Sequence, residues 1–255
     1  MQQETARVAA EGLLKLAPDV IFCAGSPATL AVQQATRTVP IVFIIVSEPV
    51  TQGIVASLSH PGGNLTGFSY LEPTIGGKWL QLLKEIAPRV NSVALMFNPS
   101  SSPYSQLFYR SIESAAPKLA AQASAARVHE LGEIEPVIAM LGREPGGGLI
   151  VSADGFNQAN RKLIVDLAAR HRVPALYGFP ALASEGGLIY YNVEFIDQYR
   201  SAAGYADRIL RGEKAGDLPV QQPTRFELRI NMQTAKSLGL DVPPTLLAIA
   251  DEVIE

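Results

Sequence analysis

Apolar and polar positions along this chain alternate between two rhythms. Short unbroken apolar runs bounded by turn residues read as strands buried on both faces, and apolar positions three and four apart read as amphipathic helices. The first rhythm predicts strands at residues 20–24, 41–46, 65–70, 92–97, 125–128, 149–152, 173–177, 187–191 and 226–230. The second predicts helices at 4–16, 28–35, 53–59, 75–86, 104–121, 133–141, 161–171 and 196–211. Residues 144–148, with three consecutive glycines, read as a loop, and 219–223 as a second extended crossing. Strand, crossover helix and strand within about thirty residues make a parallel βαβ unit. The expected fold class is therefore α/β, with two Rossmann-like lobes of parallel sheet joined by a multi-strand hinge and a cleft between them. The expected division is residues 1–72 with 190–222 for the first lobe, and 73–189 with 223–255 for the second. The first lobe counts three strands and opens on a helix with no sheet ahead of it. It is expected to be incomplete, with apolar surface and an unpaired backbone edge that invite self-association.

In open parallel sheets ligands bind beyond the carboxyl ends of the strands. That edge collects Ser26, Pro27 and Ala28 after the first strand, and Ser47 and Glu48 after the second. Tyr70, Asn98, Ser101, Asp154, Tyr177 and Tyr190 follow further along the chain. Ser26 stands where an N-cap belongs, with Pro27 at the first helical position, and the amides of Ala28 and Thr29 suit a carboxylate. Glu48 and Asp154 end strands in different lobes and can hold an ammonium group. Tyr70 and Tyr177 lead the tyrosines as ligand contacts. Only one of Tyr190 and Tyr191 can face the ligand, because successive strand residues point to opposite sides. Asn98 and Ser101 are candidate polar contacts, although Asn98-Pro99 is also ordinary turn chemistry.

Composition narrows the partners. Hydrophobic residues make up 47% and charged ones 18%, as in ordinary globular domains. A net charge of −3 with no basic stripe argues against nucleic acid. The single cysteine, Cys23, excludes an internal disulfide and any multi-thiolate metal site, and its mid-strand position reads as a small buried hydrophobe. His60, His129 and His171 are scattered without ligand spacing, so no metal is expected. No nucleophile elbow, dinucleotide fingerprint or Walker lysine stands in the sequence, so neither a cofactor nor catalysis is expected. No apolar stretch reaches the ~20 residues of a membrane span, and the start lacks the basic and apolar regions of a signal peptide.

Several segments, in order along essentially the whole chain, carry a family likeness. They include residues 20–28, Pro40-Ile41-Val42-Phe43 with Ser47-Glu48-Pro49-Val50, and Pro61-Gly62-Gly63-Asn64-Leu65-Thr66-Gly67. Asn98-Pro99, Ala153-Asp154, residues 218–224 with Phe226-Glu227-Leu228, and residues 234–240 continue the series. With them the chain resembles the substrate-binding proteins of ABC transporters that have a type I periplasmic-binding fold. The resemblance implies a small-molecule solute, such as an aromatic amino acid, bound in the inter-lobe cleft. It also implies a membrane permease as partner and a periplasmic or lipid-anchored location. The resemblance implies a signal peptide and one further strand–helix–strand unit ahead of the opening helix, so the front of this sequence is expected to lack about one such unit. A ligand-sensing domain of a regulatory system, or an enzyme on the same fold, are the alternative readings.

Overall fold

The computed structural model describes residues 2–179 and 185–255, and side chains from residue 5 onward. Two compact units divide the chain: Met1–Glu72 with Val193–Arg225, and Pro73–Asn192 with Phe226–Glu255.

The first unit is built on a three-stranded parallel sheet of β1 (Ile21–Ala24), β2 (Ile41–Val46) and β3 (Leu65–Ser69), in that order. The central strand explains the layering. Ile41 and Phe43 point into a cluster with Val32 and Ala10, from the helices α2 (Ser26–Ala35) and α1 (Gln2–Leu14). Val42 and Ile44 point the other way, against Ala202, Tyr205 and Ile209 of the helix that enters after residue 193. Each fully buried aliphatic side chain of this kind stabilises by roughly 1.5–3 kcal/mol. β1 departs from the expectation of a strand buried on both faces. Ile21 and Cys23 are buried, but Phe22 is 47% exposed, with the Tyr199 ring tilted against it at 5.7 Å between ring centres.

β2 and β3 pair with a bulge. Phe43 stands opposite Gly67 and Val46 opposite Ser69, so Ile44 and Ile45 together face the single residue Phe68. Ile45 takes φ 57°, a left-handed conformation costing a β-branched residue ~1–2 kcal/mol. Gly67 is required there, because a Cβ on it would lie 2.0 Å from the Phe43 carbonyl oxygen. The helix expected at residues 53–59 is absent. Gly53, at φ 69°, ends the turn after β2, and Ile54 and Val55 bury as irregular chain against the sheet. The crossing at 219–223 contributes an isolated parallel bridge between Gln221 and Phe68.

Among the described residues the second unit holds a seven-stranded sheet. Its strands are β4 (Ser92–Phe97), β5 (Gln122–Arg127), β6 (Gly147–Val151), β7 (Ala175–Tyr177), β8 (Ile189–Val193), β9 (Phe226–Asn231) and β10 (Glu252–Ile254), in the order β10-β9-β8-β7-β6-β4-β5. The crossover helices are α3 (Ile75–Ile86), α4 (Ser105–Ala115), α5 (Ile134–Arg143), the short α6 (Gly155–Ala159) and α7 (Arg161–Arg170). Trp79 of α3 is fully buried, donates its indole N–H to the Tyr191 carbonyl at 2.9 Å and meets Phe108 of α4 edge-on at 5.4 Å. Two expectations are corrected here. The helix read as 104–121 stops at Ala115, since Pro117 turns the chain into a 3₁₀ segment that ends at a left-handed Ala120. The glycine loop read as 144–148 is shorter, because β6 already begins at Gly147, where only a glycine fits beneath the Leu141 carbonyl.

After β8 the chain forms α8 (Phe195–Leu210) of the first unit, then β9, α9 (Met232–Ser237), α10 (Pro244–Leu247) and β10. The segments α6, α9, α10 and β10, three to six residues each, were too short to leave a periodic signal.

Candidate ligand-binding site

In the first unit the carboxyl ends of β2 and β3 open onto a pocket. Its wall includes Glu48, Val50, Ser69, Tyr70, Glu72 and Gln222. Glu48 sits at φ 49° in the turn after β2, and its carboxylate accepts from Thr51 Oγ1 at 3.2 Å. Glu72 accepts from the Gln222 side chain. Tyr70 is nearly buried, stacked on Phe195 with ring centres 5.8 Å apart, and its amide donates to the Val46 carbonyl at 2.9 Å. The wall thus carries two carboxylates, an aromatic ring and a carboxamide, and among the described residues no cationic side chain lines it. Such a lining suits a group that is positively charged.

The start of α2 is arranged differently from the sequence expectation. Gly25, at φ 83°, occupies the N-cap position that Ser26 was expected to fill, and Ser26 is the first helical residue. The reason is backbone freedom: glycine alone adopts that φ without penalty while donating its amide to Ile44 of β2 at 2.9 Å. The Thr29 amide, expected to be free, donates to the Gly25 carbonyl at 3.1 Å. Ser26 instead accepts from Gln52 Nε2 at 2.8 Å, and the same amide group bonds the Ser47 carbonyl. Gln52, which no sequence pattern marked, therefore ties the ends of β1 and β2 together. Pro27 is exposed and Ala28 half-buried in the first turn of α2.

In the second unit Asn98, Ser101 and Asp154 come together, although the sequence separates the first from the last by 56 positions. Asp154 caps α6 and is 4% exposed. Its carboxylate accepts from the Asn98 amide (3.1 Å), Ser101 Oγ (3.1 Å), the Asn157 amide (2.9 Å) and Asn157 Nδ2 (2.9 Å). Burial pushes this carboxyl above the ordinary aspartate value, against the downward pull of the bonds from Asn157, Asn98 and Ser101. Asn98 in turn accepts the amides of Ser100 and Ser101 through Oδ1, which closes the turn after β4. Asp154 is thus engaged with protein donors on both oxygens.

The remaining tyrosines lie deep. Tyr177 is buried in the sheet core and burial drives its phenol upward in pKa. Tyr190 is wholly buried, with the Arg229 guanidinium 5.8 Å over its ring, whereas Tyr191 is half-buried and stacks on Phe226 at 5.5 Å. Among the described residues no group of three His, Cys, Asp or Glu side chains stands together to hold a metal, and no helix is long and apolar enough to cross a membrane.

Comparison with known proteins places this arrangement. A tyrosine-binding protein of Clostridioides difficile (strain R20291) is 26% identical over 223 residues, covering 87% of this chain and 63% of that protein. The chain thus spans just under two thirds of that curated relative's length. The L-Trp complex of an ABC domain from Streptococcus pneumonia superposes with a TM-score of 0.89 at 21% identity, over 99% of this chain and 84% of that one. A conserved domain protein of Vibrio cholerae superposes with a TM-score of 0.88 at 25% identity, over 98% and 83%. These likenesses establish the type I periplasmic-binding-protein-like fold. The family model for the ABC transporter substrate binding protein matches residues 2–254, and the chain belongs to that family.

Proposed function

We propose that this chain is the solute-binding component of an ABC-type importer, taking an amino acid, performing no chemistry on it and delivering it to a membrane permease outside the cytoplasm. The observation that carries the reading is the first unit's pocket, whose wall holds Glu48, Glu72 and Tyr70 and, among the described residues, no cationic side chain. An α-ammonium is matched to the Glu48 carboxylate, and an aromatic side chain to the Tyr70 ring. The ligand's carboxylate goes to the first turn of α2, where the helix end carries partial positive charge and Ser26 offers a hydroxyl. The relative named as a tyrosine-binding protein supports an aromatic amino acid as the first ligand to try.

Purified protein is titrated with each standard amino acid and followed by calorimetry and thermal shift. Saturation at a hundred times the dissociation constant adds ~2.7 kcal/mol of stability. Ser26→Ala is expected to weaken the amino acid by ~1 kcal/mol while leaving an amine analogue without the carboxylate unaffected. Absence of binding by every amino acid, or turnover of one, refutes the proposal.

A further inference from the structure

At the β2–β3 bulge the ladder is interrupted, and one side chain repairs it. Gln198 of α8 is buried; its Oε1 accepts the Ile45 amide at 3.3 Å and its Nε2 donates to the Ser69 carbonyl at 2.9 Å. A single carboxamide thus satisfies one backbone donor on β2, which the bulge takes out of the ladder, and one backbone acceptor at the end of β3. The bracket spans the last turn of strand before the site. Ser69 and Tyr70 line the pocket, and the left-handed Ile45 aims the chain toward Ser47 and Glu48, two and three residues on. A β-branched residue keeps such a backbone only where its surroundings hold it there. Ile45 has its amide fixed by Gln198, while the Ile44 carbonyl accepts from Gly25 at the end of β1.

We propose that Gln198 is a positioning residue of the ligand site, its carboxamide setting the backbone from which Glu48 and Tyr70 reach the solute. The inference rests on the solute-binding reading above. Only a side chain with an acceptor and a donor on one planar group can bracket both strands, so the role is specific to a carboxamide or to its isostere, a neutral carboxylic acid. That isostere supplies the test.

Gln198→Glu retains both hydrogen bonds while its introduced carboxyl is protonated, and loses the donor to Ser69 once it ionises. The strands it packs on, β2 and β3, carry no titratable residue. The titratable groups on neighbouring segments are Glu48 and Tyr70 beyond the strand ends, and the Asp197–Arg200 pair on α8 itself. Affinity for L-tyrosine is measured for variant and wild type at about pH 5 and about pH 8, and expressed as a ratio so that those groups cancel. The ratio is expected near one at the lower pH, with the variant about tenfold weaker or worse at the higher. Gln198→Met, uncharged and unable to bracket, is expected to be weaker at both, which separates lost positioning from an added charge. Amide resonances of Ser47, Glu48 and Tyr70 are expected to move with pH in Gln198→Glu relative to wild type. Wild-type affinity in both variants at both pH values, or unmoved resonances, overturns the proposal. Should wild type bind no amino acid, the solute reading falls by itself, and the resonances alone then decide the role of Gln198.

Discussion

Removing the Asp154 carboxylate tests whether the second unit's sheet edge is held by one buried group. In Asp154→Ala the backbone amides of Asn98 and Asn157 and the Ser101 hydroxyl lose their acceptor, while Asn157 Nδ2 keeps the Met96 and Ser152 carbonyls. Each orphaned buried donor costs ~1–3 kcal/mol, and the lost cap of α6 ~1 kcal/mol. Against this stands the relief of a buried charge, visible in the raised carboxyl pKa. A net loss of ~3 kcal/mol is expected, or a fall of ~6–12 °C in the transition of the second unit at ~2–4 °C per kcal/mol. Asp154→Asn separates bond from charge. One carboxylate oxygen becomes an NH₂ facing two donors, so half the bonds fail even though the desolvation cost vanishes; an intermediate loss is expected. The pH dependence follows from the direction of the shift. A carboxyl raised in the folded state contributes stability that is fully present below its unfolded value and declines as pH rises through the folded value. The wild-type advantage over Asp154→Asn therefore narrows as pH climbs out of the acid range. Urea unfolding monitored by tryptophan fluorescence and circular dichroism reads both variants. A loss below ~1 kcal/mol in Asp154→Ala, with unchanged m-value, refutes the assignment.

Three further outcomes are expected. Trp79→Ala should cost ~3–5 kcal/mol in denaturant unfolding, since the side chain is fully buried and its N–H holds the Tyr191 carbonyl. Gly76→Ala should lose ~1–3 kcal/mol by the same measurement, because its Cβ would meet the Phe108 carbonyl oxygen at 2.3 Å and force α3 and α4 apart. Cys23, whose thiol burial pushes up to about 11, should resist a thiol reagent at about pH 8 in the folded protein and react promptly in urea. Fast labelling of the native protein would show that β1 opens readily.

The sequence by itself determined those parts of this protein that rest on local interactions. β2, α3 and β4 run over the residues expected, Ile41–Val46, Ile75–Ile86 and Ser92–Phe97, because an unbroken apolar run or a 3.6-residue stripe is recorded within a few consecutive positions. The α/β class and the strand ends that carry Ser47, Glu48, Tyr70 and Asp154 follow from the same signals. What only the tertiary structure decided depends on partners far apart in the chain. The Ile45 amide at the bulge finds its acceptor in Gln198, 153 positions away. Gly25 displaces Ser26 as the cap because the Gly25 amide must reach Ile44. Gln52 could not be singled out, since a glutamine in an irregular turn has no pattern until both strand ends stand beside it. Phe22 reads as core in an apolar run, yet on the edge strand β1 it stays 47% exposed with the Tyr199 ring 5.7 Å away. Tyr190 reads as a strand-end polar contact, yet is sealed beneath Arg229. In each case the side chain's own chemistry was legible, while its neighbours, and hence its role, were set by which distant elements the packed sheets brought against it.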